Sequence, residues 1–143
     1  MKRFSLRLNP LSPIHVGCGT DYDPLSYVID GNELCTFTPE SLSQVLKPDE
    51  FDQLNEIADM PGARSLNEMR RFIGQRASAI SKAATHRVQV AQGISKEYSN
   101  VIDGVGRRQG QLEIGRTFFN PYSNQPIIPG SSIKGAIRTA VLS

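Results

Sequence analysis

Between Leu66 and Ala84 the apolar residues Leu66, Met69, Ile73, Ala77, Ile80 and Ala84 recur at steps of three and four. That is the period of one face of an α-helix, and a helix with such a stripe is stable only against another apolar surface. Extended segments elsewhere offer that surface. Residues 3–9 alternate, with Phe4, Leu6 and Leu8 on one side and Arg3, Ser5 and Arg7 on the other, which predicts a half-buried strand. Tyr27–Asp30 and Leu34–Phe37 flank Gly31-Asn32, the pattern of a β-hairpin. Helices and paired strands within 143 residues define an α+β chain of about one domain.

Punctuation places the other elements. Thr38-Pro39 is a cap followed by proline at the first helical position, predicting a short helix over about 39–47. Pro48-Asp49 restarts the pattern with Phe51, Leu54, Ile57 and Ala58, and Pro61-Gly62 breaks it. Ser65-Leu66-Asn67-Glu68 then reads as a capping box opening the long amphipathic helix. Val88 and Val90 alternate with Arg87 and Gln89, a possible strand. Glycines at 93, 104, 106, 110 and 115 interrupt the apolar runs, so residues 85–125 read as mobile loops or a protruding hairpin presenting Arg107, Arg108 and Arg116. The last element is a helix with Ile133, Ile137 and Ala140 on one face.

Composition excludes several classes. With 38% apolar and 21% charged residues the chain is globular rather than disordered. No apolar run approaches the ~20 residues of a membrane span, and Met1-Lys2-Arg3-Phe4 lacks a signal peptide's apolar core. Cys18 and Cys35 have no CxxC spacing, and only two histidines accompany them. A disulfide framework and a structural zinc site are thereby disfavoured, and reduced thiols in the cytoplasm are expected. The net charge of +2 conceals a segregated pattern. Residues 1–20 carry +3, residues 21–68 hold eleven acids against Lys47 and Arg64 for −9, and residues 69–143 carry +8. Ordinary solvated charge accounts for this as readily as separate faces for an anion and a cationic partner do.

Chemistry concentrates in Gly130-Ser131-Ser132-Ile133-Lys134-Gly135-Ala136-Ile137-Arg138. Glycine lets backbone approach a ligand closely, and a helix start directs unpaired N–H groups and a favourable dipole at an anion. Lys134 and Arg138 stand four apart, on one helical face, within reach of phosphates. The P-loop order is different, because there the lysine follows the second glycine. A glycine-containing helix start with two surface cations is the plainer alternative. His15, between Ile14 and Val16, can stack on a base, bond a phosphate or act as a general base; a structural donor role is the commoner one. His86 reads as the end of a helix, where a cation suits the dipole. Asp21 and Asp23 form an acidic pair, too few carboxylates for a metal site.

Two of these stretches carry a family resemblance. Leu11-Ser12-Pro13-Ile14-His15-Val16-Gly17-Cys18-Gly19, with Pro24 to Asp30 behind it, resembles the opening of RAMP-superfamily CRISPR-associated proteins. Ile128 to Thr139 resembles their glycine-rich loop, and the two together are most similar to the fifth-Csm-subunit family of type III-A effector complexes. The resemblance implies a partial RRM-like (ferredoxin-like) core with residues 3–9 as first strand and 131–142 as first helix. Core residues 1–19 and 126–143 would then enclose an insertion over 20–125, with the remaining strands and second helix expected after residue 143. It also implies a non-catalytic subunit that binds guide RNA (crRNA) near its 3′ end, contacts target RNA and packs on neighbouring Csm backbone subunits. The implied RNA contacts are His15, Gly130, Ser131, Ser132, Lys134, Gly135 and Arg138. Arg107, Arg108 and Arg116 are candidates from the protruding segment. No metal or cofactor is expected. The alternative within the same superfamily is an RNA endonuclease with His15 as base and Lys134 stabilising the phosphorane, or a metal-dependent version using Asp21, Asp23 or Asp103. A nucleotide-binding switch suffers from the glycine–lysine order.

Overall fold

The computed structural model describes residues 5, 7–12, 14–105, 112–120, 122–123 and 125–142. The elements are, in order, β1 (Gly17–Asp21), β2 (Tyr27–Asp30), β3 (Glu33–Thr36), α1 (Pro39–Val45), α2 (Pro48–Ala58), α3 (Ala63–Gly74), α4 (Ala77–Lys82), β4 (His86–Gln89), α5 (Gln92–Ile102), β5 (Gly115–Thr117) and α6 (Gly130–Leu142). The chain is α+β, and it divides into two compact units, residues 1–20 with 115–143, and residues 21–114. Among the described residues no helix is long and apolar enough to cross a membrane.

The unit of residues 21–114 is built on an antiparallel sheet in the order β2-β3-β4. Gly31, at φ 60°, supplies the positive backbone angle of the two-residue turn, which sets Asp30 opposite Glu33 and Tyr27 opposite Thr36. Alternate residues leave opposite faces of a strand. Tyr27, Ile29 and Leu34 therefore join Tyr22, Tyr98, Ile102 and Leu112, while Val28 and Cys35 join Phe37, Leu46, Phe72, Ile73 and Ile80. Helix α5 covers the first face and α1 to α4 the second. Leu34 is fully buried at the centre, a position whose burial contributes about 2 kcal/mol.

Local chemistry explains the helix boundaries. The Thr38 hydroxyl accepts from the Ser41 amide at 3.2 Å and the Ser41 hydroxyl accepts from the Thr38 amide at 2.8 Å, a reciprocal cap for α1. Leu46, extended at ψ 140°, is the C-cap of α1, and the residue before a proline is driven to extended backbone, so Lys47, at ψ 160°, is the N-cap of α2. Its amide is capped by Glu50 at 3.0 Å.

The long amphipathic pattern is not one helix. Helix α3 begins at Ala63 with Gly62 as N-cap, so Ser65 caps nothing; its hydroxyl instead donates to the Ile57 carbonyl at 2.8 Å and ties α3 to the end of α2. At Gln75-Arg76 the helix breaks. There Arg76 donates to the Phe72 carbonyl at 3.0 Å and to Glu50 at 2.8 Å, and its guanidinium lies 3.6 Å from the Phe72 ring centroid. The break re-aims α4 so that Ile80 and Ser81 are buried, with the Ser81 hydroxyl donating to Asp30 at 2.7 Å. Gly74 packs so closely on α5 that a Cβ there would lie 2.5 Å from Ile102 Cδ1.

Three further expectations fail. Residues 92–102 form α5 rather than loop, because Ile94, Tyr98, Val101 and Ile102 make an apolar face that outweighs Gly93. It ends where Gly104 takes φ 69°, with Val105 donating to Asn100 at 2.8 Å and Gly104 to Val101 at 3.3 Å, a Schellman turn. His86 does not end a helix; it opens β4 opposite Thr36. Of the expected strand 3–9, Ser5, Arg7, Leu8 and Asn9 are in no strand, and Leu8 is 51% exposed; Arg3, Phe4 and Leu6 lie outside the described residues. Alternation alone supplies no hydrogen-bonding partner.

The unit of residues 1–20 and 115–143 contains the two-stranded sheet β1-β5. The Val16 carbonyl accepts from the Phe118 amide at 2.6 Å and the Thr117 hydroxyl at 3.2 Å. A further bridge joins Phe119 and Pro126, and the Ile127 amide donates to Phe118 at 3.0 Å.

The Lys47 amide, and after it the Arg76 guanidinium, holds the Glu50 carboxyl below its ordinary value of 4.5. Such a group stabilises the fold above its unfolded pKa, and that stability is lost as pH falls through the lower folded pKa. Glu50→Gln is expected to lower the thermal midpoint by roughly a few degrees at pH 7. The gap should close as the pH drops below 4.5; an equal gap at neutral and acid pH would contradict the assignment.

Candidate functional site

Proline fixes where α6 begins. Pro129 cannot extend a preceding ladder, and its carbonyl accepts from the Ser132 amide at 3.0 Å and the Ile133 amide at 3.3 Å, closing the first turn. The amides of Gly130 and Ser131 precede those bonds, and among the described residues no acceptor takes them. They are orphan donors at the positive end of the dipole of a 13-residue helix. Lys134 and Arg138 follow on one face, both exposed and neither in an ion pair among the described residues. The helix contains no acid at all. Two N–H groups at the helix start and two cations along one face thus have nothing negative beside them on the helix, an arrangement that suits phosphate oxygens.

Neither glycine of this segment is required by packing. A Cβ at Gly130 or Gly135 would meet nothing within 4 Å, and neither has positive φ. Within the chain Gly135 only weakens the helix, by about 1 kcal/mol relative to alanine. Ser132 and Ile133 are half-buried, and the rest of α6 is exposed, including Ile137 at 49% and Val141 at 78%.

The two sequence motifs meet in one groove. A cleft of about 250 Å³ is lined by Ser12, Ile14 and Val16 from the histidine segment and by Pro126, Ile127 and Ile128 from the segment leading into Gly130. His15 is exposed, and its Nε2 would lie 3.5 Å from a Cβ at Gly17. No hydrogen bond of His15 to another described residue holds its ring. Residues over a hundred positions apart in sequence thus share the groove, an adjacency no local pattern contains.

The other candidates are scattered. Arg116 is half-buried in β5, with its guanidinium 3.8 Å from the Phe119 ring centroid. Arg107 and Arg108 lie outside the described residues. Asp23 is spent on a turn, accepting from the Leu25 amide at 3.0 Å. Asp103 is the C-cap of α5, and Asp21 ends β1. Among the described residues no three of His, Cys, Asp and Glu are grouped to hold a metal ion.

Among protein families, the model of the RAMP superfamily matches residues 7–142. No curated protein and no solved structure matches the chain.

The cysteines report on the two units separately. The Thr20 hydroxyl, 3.1 Å from the Cys18 sulfur, leads the effects that lower its pKa below 9.0, whereas burial raises that of Cys35. Thiolate is the reactive form, so a disulfide reagent such as DTNB at pH ~8 is expected to titrate one thiol in the native protein and a second only after unfolding. If Cys18→Ser retained the fast thiol, the assignment would be wrong.

Proposed function

Because this chain belongs to the RAMP superfamily, a superfamily of CRISPR-associated RNA-binding proteins, we propose that it is a non-catalytic guide-RNA-binding subunit of a type III CRISPR ribonucleoprotein. In this reading it is equivalent to the fifth Csm subunit of the type III-A complex. It sits on the backbone near the 3′ end of the crRNA, packs on a neighbouring backbone subunit and contributes to target-RNA binding. The RRM-like core belongs to the same proposal, with α6 as its first helix and the apolar residues Ile137, Val141 and Leu142 as the surface a protein neighbour covers.

The observation that carries the reading is the start of α6. Its amides at Gly130 and Ser131, the Ser131 and Ser132 hydroxyls, and the charges of Lys134 and Arg138 are all groups that hold a sugar-phosphate backbone without reading bases. Gly135 in the first turn and a half leaves room for RNA to lie against the backbone. His15 flanks the groove that leads there and supplies a ring for stacking or a phosphate bond.

Fluorescence anisotropy with labelled single-stranded RNA tests this. The logarithm of the binding constant should fall linearly with the logarithm of salt concentration, at about 0.7 per neutralised phosphate. Lys134→Ala and Arg138→Ala should each weaken binding roughly three- to tenfold for every sequence tried, leaving the circular dichroism unchanged. Gly135→Ala should stabilise α6 by about 1 kcal/mol yet weaken RNA binding. Labelled target RNA should remain intact. Affinity indifferent to salt, or RNA cleavage lost in His15→Ala, would refute the reading.

A further inference from the structure

The unit of residues 21–114 has a basic concavity of its own. A cleft of about 340 Å³ is walled by Arg64, Asn67, Arg70 and Arg71 of α3 and by the end of α5, and Glu68 is the one acid among its described lining residues. Arg64, Asn67, Glu68 and Arg71 fall at helical steps of three, one and three, a single stripe along α3. Three guanidinium groups thus stand against one carboxylate. That carboxylate is already answered inside the wall, because Glu68 lies 3.5 Å from the Arg71 guanidinium.

A helix C-terminus ordinarily repels an anion. Here the carbonyls at the end of α5 are occupied. The Schellman turn takes those of Asn100 and Val101, and Arg71 Nε donates to Ile102 at 3.2 Å. The same bond fixes the Arg71 side chain across the two helices. At the other end of the stripe Arg64 and Asn67 are exposed, and Arg64 joins no ion pair among the described residues. A planar guanidinium beside an amide is a donor set for phosphodiester oxygens, and the cleft volume lies at the lower end of the ~300–1,000 Å³ of ligand sites. We propose that this cleft is a second phosphate site, gripping the backbone of an RNA strand bound to the protein. The inference rests on the RNA-binding reading above and extends it to a surface outside the glycine-rich helix.

The full chain and a single-stranded RNA carrying 4-thiouridine test it. Irradiation should cross-link RNA to the peptide containing residues 63–71. In anisotropy, Arg64→Glu should weaken RNA binding about tenfold and make the salt dependence shallower by about one phosphate, whereas Arg64→Lys should stay within about threefold of the parent. Arg64 is exposed in the first turn of α3, where a carboxylate suits the helix dipole, so circular dichroism should be unchanged. RNA binding that weakens in Lys134→Ala but not in Arg64→Glu would overturn the cleft alone. Absence of RNA binding by the parent would overturn both readings. Binding of 5′-AMP that depends on Arg64, with RNA affinity unaffected by Arg64→Glu, would make the cleft a mononucleotide pocket and overturn the strand proposal.

Discussion

Strands β2 and β3 carry apolar side chains on both faces, so the sheet of residues 21–114 has to be covered twice. Tyr27, Ile29 and Leu34 demand one helical layer and Val28 and Cys35 another. Much of the unit follows from meeting both demands with one short chain. The stripe between Leu66 and Ala84 is broken at Gln75-Arg76, where Arg76 bonds Glu50 and the Phe72 carbonyl, and Phe72, Ile73 and Ile80 on either side of the break are buried in one cluster. Gly74 lets those two helices approach, and Ile102, the residue that fills the space, carries the carbonyl to which Arg71 bonds. The basic cleft is therefore a by-product of covering the sheet, held in shape by its core.

The sequence was most legible where covalent chemistry acts locally. Gly31-Asn32 defined the hairpin, and Pro39 and Pro48 marked two helix starts, since a fixed φ and a missing N–H allow few alternatives. It was least legible where a tertiary partner decides. Ser65 satisfies the capping pattern in sequence, but its hydroxyl finds the Ile57 carbonyl across a turn. Glycine spacing over 93–115 obscured α5, though Ile94, Tyr98, Val101 and Ile102 already held the helical period. Residues 3–9 alternate as a strand does, yet Ser5 and residues 7–9 have no ladder to join.

The candidate site divides along the same line. The helix start at Gly130 and its two cations could be read from a dozen consecutive residues, because capping and the helix dipole are local. That the histidine segment and Ile127-Ile128 share a groove could not, since it depends on β1 pairing with β5. The arginine stripe of α3 went unread for another reason. Arg64 falls in the acidic stretch and Arg70 and Arg71 in the basic one, so charge summed by segment splits them. Face by face the segregation is sharper: α2 carries Asp49, Glu50, Asp52 and Glu56, whereas α6 has no acid. By charge alone, α6 suits a polyanion and α2 does not.

The most direct measurement is an amide-resolved NMR titration of the ¹⁵N-labelled chain with single-stranded RNA. Direct phosphate contact predicts that the Gly130 and Ser131 amide protons shift downfield and exchange more slowly with solvent on saturation, while amides along α2 hold their positions. If RNA binds but those two amides neither move nor gain protection, the start of α6 is not where the strand is held, and the account fails at its centre.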